Sequence, residues 1–408
     1  MTDLADFEQS WRDLAPIGRS ASSGGYFRQP WLSAELELRA WFREAASARG
    51  LEVEDDPFGN LVAWWHPATG VDTAVGTGTG TGSRGRVLTG SHFDSVLDGG
   101  AFDGPLGVVS SFAALDLMRE RGVAPARPLG IAAFVEEEGS RFGRACLGSR
   151  LAVGATSWAD ARELTDRDGT RLGDVVEGGT STLLADVDTY VELHVEQGRA
   201  LVDRDAAVGV GSAIWPHGRW RFDIAGRADH AGTTRMEDRA DPMLTYAMTV
   251  LASNDEARRT GQRATFGRID VRPNGTNAVP SHVTAWLDAR AESDAALAEL
   301  VGAIERQAGD RAGHDGTRLS VSAESVSGEV AFDGALRDEV VAALGGVPVL
   351  PTQAGHDAGI LQDAGIRSAM LFVRNPSGVS HSPAETAGTA DCLAGVEALA
   401  DALTGLVA

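Results

Sequence analysis

The stretch 90–107, reading GSHFDSVLDGGAFDGPLG, constrains this 408-residue chain more than any other. A short apolar run, Val87-Leu88-Thr89, reads as a buried strand that stops at this cluster of turn residues. His92 comes directly after the strand. Asp103 closes a glycine-rich loop just before Pro105–Glu120, a segment with a helical pattern. A histidine at a strand end and an aspartate at a helix mouth can converge on one metal ion. Taken alone, either is equally an ordinary turn or capping residue.

The flanking segments repeat the alternation of strand and helix. Residues 33–49 carry helical periodicity and stop at Gly50, and 51–53 with Leu61–Trp65 form a hairpin around the Asp55-Asp56-Pro57-Phe58-Gly59-Asn60 turn. Strand 128–135 runs into Glu136-Glu137-Glu138-Gly139, and 190–194 ends on His194. This is the pattern of an α/β core, with polar residues collected at the carboxyl ends of its strands. After about Ser212 the pattern changes to strands 220–224, 264–271, His282–Arg290 and 319–326, with helices 242–253 and 294–312. Strand-helix-strand-strand-helix-strand is the ferredoxin-like order. Core character returns with helix 334–344, strands 347–350 and 368–373, and a closing helix near 391–403. The expected fold class is therefore α/β: a mixed-sheet domain of residues 1–212 and 328–408, with an inserted ferredoxin-like α+β domain at 213–327.

Several function classes are excluded. The formal net charge of −22 argues against nucleic acid or an anionic membrane surface as partner, yet one placed arginine suffices for a small anionic substrate. The chain contains no lysine, so its 36 basic residues are all arginine, and Schiff-base chemistry and a phosphate-loop lysine are removed. Gly80-x-Gly82-x-x-Gly85, in a Gly/Thr-rich loop at 74–86, precedes a strand instead of following one and is not a dinucleotide fingerprint. No Gly-x-Ser-x-Gly elbow is present. Two cysteines, Cys146 and Cys392, are too few for a disulfide framework and read as buried apolar groups in a reducing cytoplasm. The start, MTDLADFEQSW, lacks the basic-then-apolar pattern of an export signal, and no apolar run spans a bilayer.

Four separate segments carry hard-metal ligands at strand ends or loops: His92 with Asp103, the 136–138 run, His194, and His381 in Ser380-His381-Ser382-Pro383. Two cations about 3.5–4 Å apart need one bridging carboxylate and a few terminal ligands each. Asp103 suits the bridge, and three imidazoles with one further carboxylate complete two sites. A second glutamate beside a ligand glutamate is what an activated water needs as proton acceptor. His356, in QAGHDAG, reads either as a support for these ligands or as a substrate contact.

The segments GSHFDS, GGAFDGPLG, FVEEEGSRF, ELHVEQG, DHAGTTRMEDRADP, PNGTNAVP and GVSHSPAE resemble the motifs of the two-zinc aminoacylase/carboxypeptidase superfamily. They are most similar to its branch of N-carbamoyl-L-amino-acid hydrolases, β-ureidopropionases and allantoate amidohydrolases. The resemblance implies two divalent metal ions per subunit, zinc by default with manganese, cobalt or nickel also compatible. One would be held by His92, Asp103 and His194, the other by Asp103, Glu138 and His381, with Glu137 as general base. It further implies substrate contacts from His230, Asn277 and Arg290 in the inserted domain and from Gln197, and a homodimer formed through that lid domain. By their residues alone, Arg290 is a carboxylate fork or a surface ion pair, and His230 an oxyanion donor or a turn residue. Arg235 after HAGTT and Arg199 after EQG depart from the proline usual at both places. The activity implied is hydrolysis of the ureido C–N bond of an N-carbamoyl amino acid or an allantoate-like substrate. The alternative is an aminoacylase, deformylase or aminopeptidase on the same metal core.

Overall fold

The computed structural model describes residues 4–67 and 85–408. The stretch expected as the loop 74–86, with its first two fingerprint glycines, lies outside the described residues except for Gly85 and Arg86. The chain divides into two compact units, Met1–Ala213 with Ala331–Ala408, and Ile214–Val330.

The first unit is built on a nine-stranded mixed sheet. Its order is Glu52–Asp55, Leu61–Trp65, Leu129–Phe134, Arg86–His92, Val187–Val195, Arg367–Val373, Val208–Ile214 and Val330–Ala331, with Val349–Thr352 paired beside Val208–Ile214. The four central strands, from Leu129–Phe134 to Arg367–Val373, are mutually parallel. Their carboxyl ends therefore lie along one edge, where an open sheet collects its functional groups. These strands are buried along nearly their whole length, as strands covered on both faces must be.

Gly90 is obligatory in this sheet. Its φ is +140°, and a Cβ there would stand 2.1 Å from the carbonyl oxygen of Ala132 on the neighbouring strand. Helix Pro105–Glu120 starts on a proline, which fits the first turn because its missing N–H would have no partner there. It is buried almost all round, packed with helices Ser33–Ala48 and Thr389–Val407 around Phe42, Phe112, Leu115, Val396 and Leu403. Each such side chain contributes roughly 1.5–3 kcal/mol by leaving water.

Several elements were not legible in the sequence pattern, and three of them shape the first unit. Helix Leu4–Leu14 precedes the first expected element. Helix Asp357–Asp363 occupies the QAGHDAG region. Strand Val208–Ile214 pairs antiparallel with Arg367–Val373 and so belongs to the large sheet up to the point where the second unit begins.

The second unit has a four-stranded antiparallel sheet in the order Arg318–Ser327, His217–Ala225, His282–Arg290, Arg263–Arg272. Helices Pro242–Thr260 and Asp294–Asp315 follow the first and third of its strands in chain order, giving the expected ferredoxin-like succession. Both helices are capped by their own sequence. Asp241 and Ser293 accept from the N–H of Met243 and Ala296, and Gly261 and Gly316 close the other ends in left-handed geometry. Trp220, Phe222, Leu287, Leu300 and Ile304 form the separate core of this unit. Among the described residues, no helix is long and apolar enough to cross a membrane.

Candidate metal centre and active site

The candidate centre lies at the carboxyl edge of the parallel strands. His92 is the last residue of Arg86–His92, a strand that runs three positions beyond its expected end at Thr89, and His194 is the penultimate residue of Val187–Val195. In each ring Nδ1 faces a main-chain carbonyl, Asp94 at 3.0 Å and Val195 at 2.9 Å. In the neutral ring that contact fixes the proton on Nδ1 and leaves the lone pair on Nε2. Both Nε2 atoms are fully buried and have no hydrogen-bond partner. A buried nitrogen in that state is costly unless something electropositive faces it.

Asp103 faces both rings. Its Oδ1 is 3.2 Å from His194 Nε2 and 3.6 Å from His92 Nε2. Its Oδ2 is 3.5 Å from His381 Nε2, which in turn lies 3.3 Å from Glu138 Oε2. One carboxylate thus addresses two separate donor groups, His92-Asp103-His194 and Asp103-Glu138-His381, in each of which the ligand atoms lie within 4.8 Å of one another. The approach of Asp103 over His92 depends on Gly104, because a Cβ there would meet the His92 ring at 2.5 Å and its φ is +84°.

The electrostatics have the same origin. Burial opposes ionisation of Asp103, but the three surrounding imidazoles hold its carboxyl far below the usual carboxylate range. Burial alone would lower His194, and the Asp103 carboxylate outweighs it and raises the ring to about 9. His92, with burial dominant, falls to about 4. Glu137 and Glu138 are both pushed well up, first by burial and then by neighbouring acids: Asp357, Glu138, Asp94 and Asp103 for Glu137, and Asp103 and Asp94 for Glu138. An excess of buried acid beside orphaned imidazole nitrogens and an unpartnered Glu138 Oε1 fits divalent cations. The nitrogen and carboxylate donors suit zinc, manganese, cobalt or nickel.

Glu137 stands beside this cluster. Its Oε2 is 3.8 Å from His92 Nε2, and the residue is 6% exposed. Two devices hold its loop. Asp94 accepts from the N–H of Glu137 and Glu138, both at 3.1 Å. Asn60, itself locked in the hairpin turn by Asp56, accepts from Val135 N–H and donates to the Gly148 carbonyl. Glu136 and His381 sit at φ 56° and 54°, left-handed geometry that a side chain adopts only where its surroundings impose it.

Gln197 lies in the cluster, its Nε2 donating to Asp103 Oδ2 at 2.7 Å. His356 is buried with its ring centroid 4.6 Å from that of His194, its Nε2 unpartnered, and burial pulls its pKa well down. The remaining three expected site residues lie in the second unit. His230 and Asn277 are brought together there, since Ala278 pairs with His230 and Ala231 N–H donates to the Asn277 carbonyl. His230 Nδ1 accepts from the N–H of Gly232 and Thr233, so the neutral ring carries its proton on Nε2. Arg290, at the end of its strand, pairs with Asp288 at 2.9 Å.

The sequence reading left out several residues of the site. Asp94 is one, and its signal was the His92-x-Asp94 spacing. Glu385 is another: its Oε1 accepts from the N–H of Phe102 and Asp103 and its Oε2 from Ser380. Burial, then the charge of Asp103, pushes Glu385 up to about 7. Glu192 ties Ser91 to the start of helix Asp357–Asp363 through its two oxygens.

Residues 87–405 match the model of peptidase family M20/M25/M40. The chain is 34% identical over 410 residues to the N-carbamoyl-L-amino acid amidohydrolase of Geobacillus stearothermophilus, with 96% of each chain covered. It is 31% identical over 417 residues to the allantoate amidohydrolase of Escherichia coli K12, with 97% of each covered. A solved structure of a hydantoinase/carbamoylase family amidase from Burkholderia vietnamiensis superimposes with a TM-score of 0.86 at 26% identity, over 99% of this chain and 97% of that one.

Proposed function

The chain belongs to peptidase family M20/M25/M40, and from that premise we propose that it is a two-metal amidohydrolase that cleaves the ureido C–N bond of an N-carbamoyl-L-amino acid or an allantoate-like substrate. The observation that carries the reading is the single carboxylate of Asp103 turned to two donor groups with Glu137 alongside. His92, Asp103 and His194 would hold one cation, and Asp103, Glu138 and His381 the other. Bound there, the cations supply Lewis acidity, polarising a carbonyl and acidifying water.

Glu137 takes the proton of the attacking water and passes it to the departing nitrogen. The C–N bond breaks, and the carbamoyl group leaves as carbamate, which decays to ammonia and carbon dioxide. His230 donates its Nε2–H to the developing oxyanion, assisted by Asn277; the tautomer imposed by Gly232 and Thr233 supports that role. Arg290 turns from Asp288 to grip the substrate carboxylate, Gln197 orients the substrate beside Asp103, and His356 offers its free Nε2 to a polar group of the substrate.

Ile214–Val330 serves as lid and dimerisation domain. Leu244, Met248 and Leu251 are exposed on one face of helix Pro242–Thr260, and Arg263–Arg272 is an edge strand; a second copy of the chain covers both. Light scattering should give the mass of two chains, and a single-chain mass at micromolar concentration would refute the dimer. Two free buried cysteines support a cytoplasmic setting. Redox-probe fusions reporting an oxidising compartment would refute it.

The decisive test is a panel of N-carbamoyl, N-formyl and N-acetyl amino acids with allantoate, run after chelation and restoration of each metal. Ureido substrates should be preferred at least about tenfold in kcat/KM, and His230→Ala should lower kcat about a hundredfold. Preference for the formyl or acetyl compounds would make the chain a deformylase or acylase instead.

A further inference from the structure

Glu137 has two carboxylate oxygens in different surroundings. Oε2 faces His92 Nε2, whereas Oε1 lies 3.3 Å from Cys146 Sγ, which donates to it. Resting on the functional reading above, we propose that Cys146 is a positioning residue: its thiol pins one oxygen of the base so that the other is presented to the reacting water.

Local structure fixes the thiol in place. Cys146 sits in left-handed geometry at φ 54°, an uncommon state for a residue with a side chain. Three main-chain bonds impose it: Cys146 N–H to the Glu137 carbonyl at 2.6 Å, Leu147 to Glu136 at 3.0 Å and Gly148 to Val135 at 2.9 Å. The segment carrying the thiol is thereby stitched to the segment carrying the base. Cys146 is 3% exposed, beyond the reach of solvent or modifying reagents. Burial, followed by the Glu137 charge, pushes the thiol well above its usual range, so it remains a donor. Cys146 is buried, as the sequence reading expected, and this contact gives it a polar partner as well. Cys392, in contrast, is packed in the main core.

A carboxylate whose torsion is unrestrained spends part of its time with neither oxygen aimed at the water, and small misplacements are expensive in rate. Cys146→Ala should therefore lower kcat about tenfold with KM and bound metal unchanged, and Cys146→Ser, which keeps a donor, should stay within about twofold of wild type. A second readout needs neither metal nor turnover. In the metal-free protein with Cys392→Ala, the S–H stretch of Cys146 should lie at the lowered frequency of a bonded thiol and move up in Glu137→Leu, which has no acceptor there. Equal kcat for the alanine variant and wild type overturns the proposal. So does equal loss in the alanine and serine variants, which would indicate volume and not hydrogen bonding, or a stretch at the unbonded frequency. A wild type inactive on the whole panel would refute the functional reading instead, and the spectroscopic result would still decide the role of Cys146.

Discussion

Glu137→Gln is expected to lose at least about a thousandfold in kcat while binding metal as well as the wild type, since a positioned general acid–base is worth about 10²–10⁴ in rate and in the proposed reaction Glu137 serves both proton transfers. Glu137 belongs to neither of the two donor groups, so its loss leaves their ligand atoms intact. The amide has the same shape and still accepts from Cys146 through its oxygen. What disappears is the basic lone pair. The substitution also removes one negative charge from a buried cluster in which Asp357, Glu138, Asp94 and Asp103 already push the Glu137 carboxyl up. The metal-free variant should therefore melt at the same temperature as the metal-free wild type or higher. Steady-state kinetics, elemental analysis and calorimetry on one preparation check all three outcomes. A kcat within tenfold of wild type would remove Glu137 from its assigned role.

How far the site could be read in advance depended on whether a residue's role is local. Helices Pro105–Glu120 and Asp294–Asp315 were legible because proline, cap residue and terminal glycine act within a few positions of chain, whereas Pro242–Thr260 was expected to stop at 253 and runs on to its glycine at 261. The metal-ligand candidates were legible for a related reason: each ends a strand or lies in the loop that follows one, and the parallel order of the strands brings those ends together. Strand Val208–Ile214 was not, since VGVGSAI has glycines where side-chain alternation would show, and its place is decided by pairing with Arg367–Val373. Glu385 acts on a main-chain N–H group 282 positions away in sequence, a distance over which no spacing rule operates, whereas Asp94 was signalled by its spacing from His92. Cys146 reaches Glu137 only because its backbone turns left-handed, which nothing in its residue type favours.

Asp103→Asn tests whether one carboxylate would serve both proposed cations, and its effect should exceed that of any single histidine substitution. The aspartate offers Oδ1 to His92 and His194 and Oδ2 to His381, so both donor groups share it. Asparagine keeps one oxygen and replaces the other by an NH₂ donor, which repels a cation. Metal content should fall from two ions per chain to at most one, with activity lost beyond about a thousandfold. The variant also changes the response to pH. In the wild type the Asp103 carboxylate holds His194 at about 9 against the opposing pull of burial. Below that value a proton on the ring must leave before Nε2 can take a cation, so affinity rises with pH up to about 9 and then levels. Titrations in two buffers of different ionisation enthalpy should show proton release below that point. In Asp103→Asn burial is no longer outweighed by this carboxylate, the ring drops toward neutrality at pH 7, and the proton release attributable to His194 should vanish there. Retention of two ions per chain in Asp103→Asn, with an unchanged pH dependence, would mean that the two donor groups do not share this residue.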